Sequence, residues 1–157
     1  MNFIDLPKPV YDETLASWLF RCANNRRSRA GQRFRLEDRP RTWWVGIELK
    51  TADADTDFVA AENKLREAGY ETNSKILERV FAPQKNNFVG WSFRRFFCAE
   101  CLRQDVSEGR LPAWRKSWCY EYASVCAIHR KQLDILADPS HISKAWDAFV
   151  QHCNSST

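Results

Sequence analysis

Apolar residues recur at helical spacing in four stretches of the chain. Leu15, Trp18, Leu19, Cys22 and Ala23 follow the i, i+3, i+4, i+7, i+8 pattern of a single buried stripe. Asp12 stands where an N-cap belongs, with Glu13 in the first turn, so the pattern predicts a helix over 12–24. A second stripe, Phe58, Ala61, Leu65 and Ala68, predicts a helix over 57–69, opened by Asp57 and closed by a C-cap glycine at Gly69. Ile76, Leu77, Val80 and Phe81 form a third, over 74–82, with Asn73 or Ser74 as N-cap and Pro83 as the stop. The last, over 141–153, carries Ile142, Ala145, Trp146, Phe149, Val150 and Cys153. Trp18 and Trp146 sit at the centres of their stripes, so both are expected to be buried.

The segments between are less periodic. The arginine-rich stretch to about Arg41 reads as a loop or a short solvated helix, and Trp43-Trp44-Val45 as a return to the core. The Asp-Ala repeat at 52–57 reads as a linker. Two short helices joined by a turn with glycine at its start have the form of a helix-turn-helix. As a groove reader the second of them would present Ser74, Lys75, Glu78 and Arg79 outward, with Glu78 set awkwardly against phosphate; the other reading is a helical hairpin used only for packing. The expected fold is mainly α. A helical, helix-turn-helix-like region covers 1–90, and a Cys3His zinc-finger module with a C-terminal helix covers 91–157.

The zinc assignment comes from spacing. Cys98-x2-Cys101 is followed, after 24 residues, by Cys126-x2-His129. Zinc takes four tetrahedral N/S ligands, commonly as two close pairs on tight turns or helix starts. A closed set of Cys98, Cys101, Cys126 and His129 would hold one structural Zn2+. The competing reading is that the cysteines are small buried apolar side chains. The first pair looks like a zinc knuckle, and the second is expected to begin a helix with both ligands on its first turn. Cys22 and Cys153 fall on apolar helix faces and read as core thiols. Cys119, seven residues before Cys126, is near enough to replace a ligand.

Composition narrows the function classes. With 44% hydrophobic residues, seven Trp and ten Phe, the chain can bury a core. No apolar run approaches the ~18 residues of a membrane span, and the first residues lack the basic and apolar regions of a secretory signal. A cytoplasmic protein is expected, in a compartment where cysteine pairs hold metals more often than they form disulfides. The net charge of +4 is unevenly spread: eight arginines fall between Arg21 and Arg41, including Arg26, Arg27, Arg29, Arg33 and Arg35. Such a patch attracts phosphate or an acidic protein surface, or serves only as a solvated face. Catalysis is not expected. No histidine precedes Cys98 to complete a deaminase motif, and the five glycines are too scattered for a phosphate loop.

Three separated blocks carry a resemblance. Leu6-Pro7 with Glu13-Thr14-Leu15-Ala16-Ser17-Trp18-Leu19 and Arg21 is the first. Phe97-Cys98-Ala99-Glu100-Cys101-Leu102 with Asp105 is the second. Trp114-Arg115-Lys116-Ser117-Trp118, then Val125-Cys126-Ala127-Ile128-His129 with Leu133, is the third. In this order they resemble the TniQ/TnsD family of transposon target-selection proteins, in a short form. The resemblance implies an adaptor that binds target DNA or an RNA-guided complex and passes the site to transposition proteins. It implies the same four zinc ligands. This chain has alanine at 99 where a proline is often seen, and it is expected to be a short form without the further cysteine pairs and DNA-binding helices of longer members. Weak, nonspecific nucleic-acid binding is therefore expected, with specificity supplied by a partner. The alternative is a general zinc-containing DNA-binding regulator.

Overall fold

In the computed structural model, which describes residues 6–24, 53, 55–67, 69–141 and 143–155, the first apolar stripe folds as α1, Leu15–Asn24. Leu15, Trp18, Leu19 and Cys22 are all at most 1% exposed. The helix starts later than Asp12 suggests, because Asp12 is occupied elsewhere. With φ at +67° it turns the chain. Its carboxylate accepts from the Ser117 N–H (2.9 Å) and its carbonyl from the Lys116 N–H (2.6 Å). Thr14 caps instead, its hydroxyl accepting from the Ser17 N–H (3.2 Å).

Helices α2, Phe58–Glu67, and α3, Ser74–Phe81, follow and pack against each other. Asp57 accepts from the Ala60 N–H (3.0 Å), as its position predicts. Gly69, at φ +88°, closes α2 in the left-handed conformation a Cβ disfavours, and the Tyr70 N–H reaches back to the Leu65 carbonyl (2.9 Å). Of the two candidate caps for α3, Asn73 takes the role, accepting from the Ile76 N–H (2.9 Å). Leu77 and Phe81 turn inward, Phe81 meeting Trp18 at a 5.2 Å ring separation. Lys116 donates to the carbonyls of Val80 and Ala82 (3.4 and 3.3 Å), a cation on the free carbonyls at the end of a helix.

The remaining elements are two-residue strands β1 (Phe96–Phe97) and β2 (Asp134–Ile135), and helices α4 (Ala99–Ser107) and α5 (Lys144–Ser155). The strands pair antiparallel, Phe96 with Ile135 and Phe97 with Asp134. Five α-helices and this single small sheet make the described residues mainly α. Two apolar clusters result. One joins Leu6, α1, α2, α3 and Trp91. The other gathers Phe97, Leu102, Trp114, Trp118, Leu133 and Leu136 with Ala145 and Ala148 of α5.

Three expectations are corrected. The Asp-Ala repeat is not a mere linker, since Asp53 and Asp55 both clasp Arg94, which is 1% exposed. Asp55 also accepts from the Ala16 N–H (2.7 Å), so this return of the chain caps α1. Trp146 is not buried: it is 43% exposed, and Val150 and Cys153 lie outside with it. The rotation of α5 is set by Lys144, whose ammonium reaches the carbonyls of Trp91 (3.1 Å), Arg94 (3.0 Å) and Pro139 over the Trp91 ring. That turns the small face, Ala145 and Ala148, inward, and carries Trp146 out. Cys153 is accordingly a surface thiol and not a core one. The third correction, to the second ligand pair, belongs to the site below.

Candidate metal centre

The first ligand pair opens a helix. Strand β1 delivers Cys98 in extended conformation to the N-cap of α4, and Cys101 follows in the first turn. The second pair lies on a tight turn. Val125 bridges Gln132, the Cys126 N–H donates to Lys131 O (2.9 Å), and the Arg130 N–H donates back to Cys126 O (2.8 Å). Arg130, at φ +54°, closes this reversal. The expectation that Cys126 and His129 begin a helix is thus corrected, and the knuckle-like turn belongs to them rather than to Cys98 and Cys101. Neither difference disturbs the ligands, because two intervening residues can aim both side chains at one point from either backbone.

The four ligating atoms lie within 4.8 Å of one another. The Nδ1 of His129 stands 3.5 Å from Cys98 Sγ, 3.3 Å from Cys101 Sγ and 3.7 Å from Cys126 Sγ. Cys101 and Cys126 are 3.7 Å apart. Metal–sulfur bonds of ~2.3 Å and metal–nitrogen bonds of ~2.0 Å around a tetrahedron predict edges of about 3.8 Å (S···S) and 3.6 Å (S···N). These four edges match to within about 0.3 Å and the other two are no longer than 4.8 Å, so the Cys3His group can hold one metal ion. The three cysteines are at most 4% exposed and the histidine is half-buried. The His129 N–H also points at Cys126 Sγ (3.5 Å), a contact that stabilises a thiolate. Without an ion, the hydrogen bond from Cys101, helped by those of Cys126 and His129, pulls Cys98 down to about 5, and Cys101 is pushed up as the partner that keeps the proton. A metal ion would take the place of that shared proton.

Cys119 is not a ligand. It is fully buried, its thiol directed to the Arg115 carbonyl (3.4 Å), and burial pushes its titration well up. Cys119→Ser is expected to keep the full metal content, with a stability loss on the order of 1 kcal/mol. Elemental analysis and a urea titration check it; loss of the metal would bring Cys119 into the site.

Helix α4 connects the centre to the rest of the molecule. Asp105, one turn beyond Cys101, is fully buried and accepts from Arg115 (2.5 and 2.9 Å), from Arg110 (2.9 Å) and from the Ala113 N–H (3.0 Å). Burial opposes its charge, but the Arg115 hydrogen bonds prevail and hold the carboxyl below its usual range. Segment 113–117 then runs beside the N-terminus. Arg115 bridges Glu13, the Thr14 N–H donates to Trp114 O (3.0 Å), and the Trp114 N–H donates to Ser17 Oγ (2.9 Å). Ser17 in turn donates to Glu13 (2.8 Å), which holds Arg21 through both carboxylate oxygens (2.8 and 2.6 Å). Trp18 and Arg21 fix the carbonyls of Pro7 and Lys8 (both 2.8 Å). The polar residues of the three sequence blocks therefore form one buried network joining the two apolar clusters. Sequence reading missed this role; the available signal was charge at the edge of a strongly apolar helix.

The expected nucleic-acid contacts fall in two groups. Lys75 and Arg79 are exposed on α3, as its periodicity requires. Arg26, Arg27, Arg29, Arg33 and Arg35 lie outside the described residues. Among the described residues no helix is long and apolar enough to cross a membrane.

A mainly helical scaffold tied to a Cys3His group that can hold a metal ion is the class that fold and site define. The family model that matches the chain is that of TniQ, over residues 6–133, and the chain belongs to the TniQ family. Comparison with curated proteins and with solved structures finds no match. Family membership supports a transposition-associated function.

Proposed function

We propose that the chain is a target-selection adaptor of transposition, which contacts nucleic acid and partner proteins of the transposition machinery or an RNA-guided complex. The family match across all three sequence blocks carries this reading. One Zn2+ is the ion that three thiolates and an imidazole suit, since soft sulfur ligands in a closed tetrahedral set select it. Its role is structural: four protein ligands leave no position for a reacting water, and the protein works without catalysis, in the cytoplasm.

Arginine supplies the affinity for nucleic acid. Guanidinium groups grip phosphate bidentately and read no sequence, so the protein alone binds weakly and a partner brings specificity. Pull-down against candidate transposition proteins, with and without nucleic acid, tests the adaptor role directly. Reversing charge at Arg26, Arg27 and Arg29 is expected to abolish DNA binding at low salt while leaving zinc content and helicity unchanged. Unaltered binding by that triple variant would reduce the patch to a solvated face. The second reading, a zinc-containing DNA-binding regulator, is favoured by the exposed Lys75 and Arg79 on α3. Tight, sequence-selective binding by the chain alone would establish it over the adaptor.

A further inference from the structure

The outward turn of Trp146 places it in a concavity of about 700 Å3 between the N-terminal segment and the loop after α4. Pro7, Leu111 and Pro112 give it apolar walls, and Lys8, Arg21 and Arg110 its charge. Among the described residues no carboxylate lines it. Arg21 is paired with Glu13, and Arg110 with Asp105 and the exposed Glu108, whereas Lys8 is exposed with no ion pair among the described residues. Asn24 forms part of the rim, and in sequence the chain leaves it towards Arg26, Arg27 and Arg29.

We propose that this concavity receives unpaired bases of a single-stranded nucleic acid, one base stacking on Trp146 and a neighbouring phosphate meeting Lys8. An accessible indole beside cations is the pairing that single-strand binders use, since every base has a face to stack and every nucleotide a phosphate. Its volume lies in the ~300–1,000 Å3 range of small-ligand sites, room for an extruded base. An acidic peptide would satisfy the charge, but it gives no reason for the run of arginines that follows Asn24 in the sequence. The inference rests on the reading that the chain contacts nucleic acid, and adds where and in what form.

The test uses the full metal-loaded chain with two labelled probes at low salt, a ~12-nucleotide oligothymidylate and a duplex of the same length. Trp146→Ala is expected to weaken oligothymidylate binding about tenfold and to leave duplex binding unchanged. Trp146→Phe, which keeps a stacking face, should recover most of the loss, and Lys8→Glu should weaken oligothymidylate binding further. Metal content and circular dichroism of each variant confirm the fold, which an exposed side chain should not disturb. If the parent binds both probes and Trp146→Ala binds oligothymidylate equally well, the groove assignment is overturned while the nucleic-acid reading stands. If the parent binds neither, that reading fails and takes this one with it. Binding of an acidic tryptophan-containing peptide that depends on Trp146, with none of oligothymidylate, overturns the proposal in favour of a protein partner.

Discussion

Removal of the metal is expected to unfold the chain from Trp91 to Leu136. The four ligands come from a helix start and a turn that share little else: β1 and β2 are two residues each, and the Cys126 turn is held by a handful of backbone bonds. The ion would be the main cross-link between them, and metal binding to such a site is largely folding free energy, on the order of 10 kcal/mol in finger-like modules. Cys98→Ser and Cys126→Ser should therefore lose the ion and most of the near-ultraviolet signal of Trp114 and Trp118, which are packed edge-to-face at 5.3 Å in the cluster beside the site. The damage should spread, because Asp105 and Arg115 couple α4 to the N-terminal helix. Native protein without metal, or full metal content in Cys98→Ser, would remove the assignment.

Arg94→Met is expected to cost about 3–5 kcal/mol, the loss that follows when one partner of a buried ion pair is deleted. Arg94 lies over the Phe88 ring, 4.3 Å from its centroid, and donates to Asp53, to Asp55 and to Val89 O. Methionine keeps the bulk but leaves both carboxylates unpaired, and it releases the segment that caps α1. Burial, the largest influence, pushes Asp55 up to about 6, Arg94 opposing it and Asp53 adding to it. For a carboxyl raised in this way the stabilising contribution is complete below the ordinary value of 3.8 and is lost as pH rises through about 6. Without Arg94 the Asp55 value should climb higher, so the variant should gain more stability than the parent on acidification from pH ~7 to ~5.5. Adding Asp55→Asn should restore part of the loss. Urea titrations at both pH values, with zinc in excess, measure each step; a loss below ~1 kcal/mol at neutral pH would show that the clasp does not hold the segment.

The sequence by itself determined the four candidate ligands that the fold brings together and the helices whose apolar face coincides with their periodicity. Ligand spacing is a local property, so Cys98, Cys101, Cys126 and His129 could be named without knowing which backbone carries them. Leu15, Trp18, Leu19 and Cys22 likewise define a face wherever α1 packs. Tertiary structure alone decided matters that depend on partners distant in the chain. Asp12 would cap a helix in isolation, but the backbone of Lys116 and Ser117 takes it. Asp53 and Asp55 look like linker residues until Arg94 lies between them. On α5 the competing faces are both apolar, and the ammonium of Lys144 chose between them by finding three carbonyls. Hydrophobic pattern reports which side chains avoid water; it does not report which buried charges find one another, and in this protein those pairings orient the elements around the candidate metal centre.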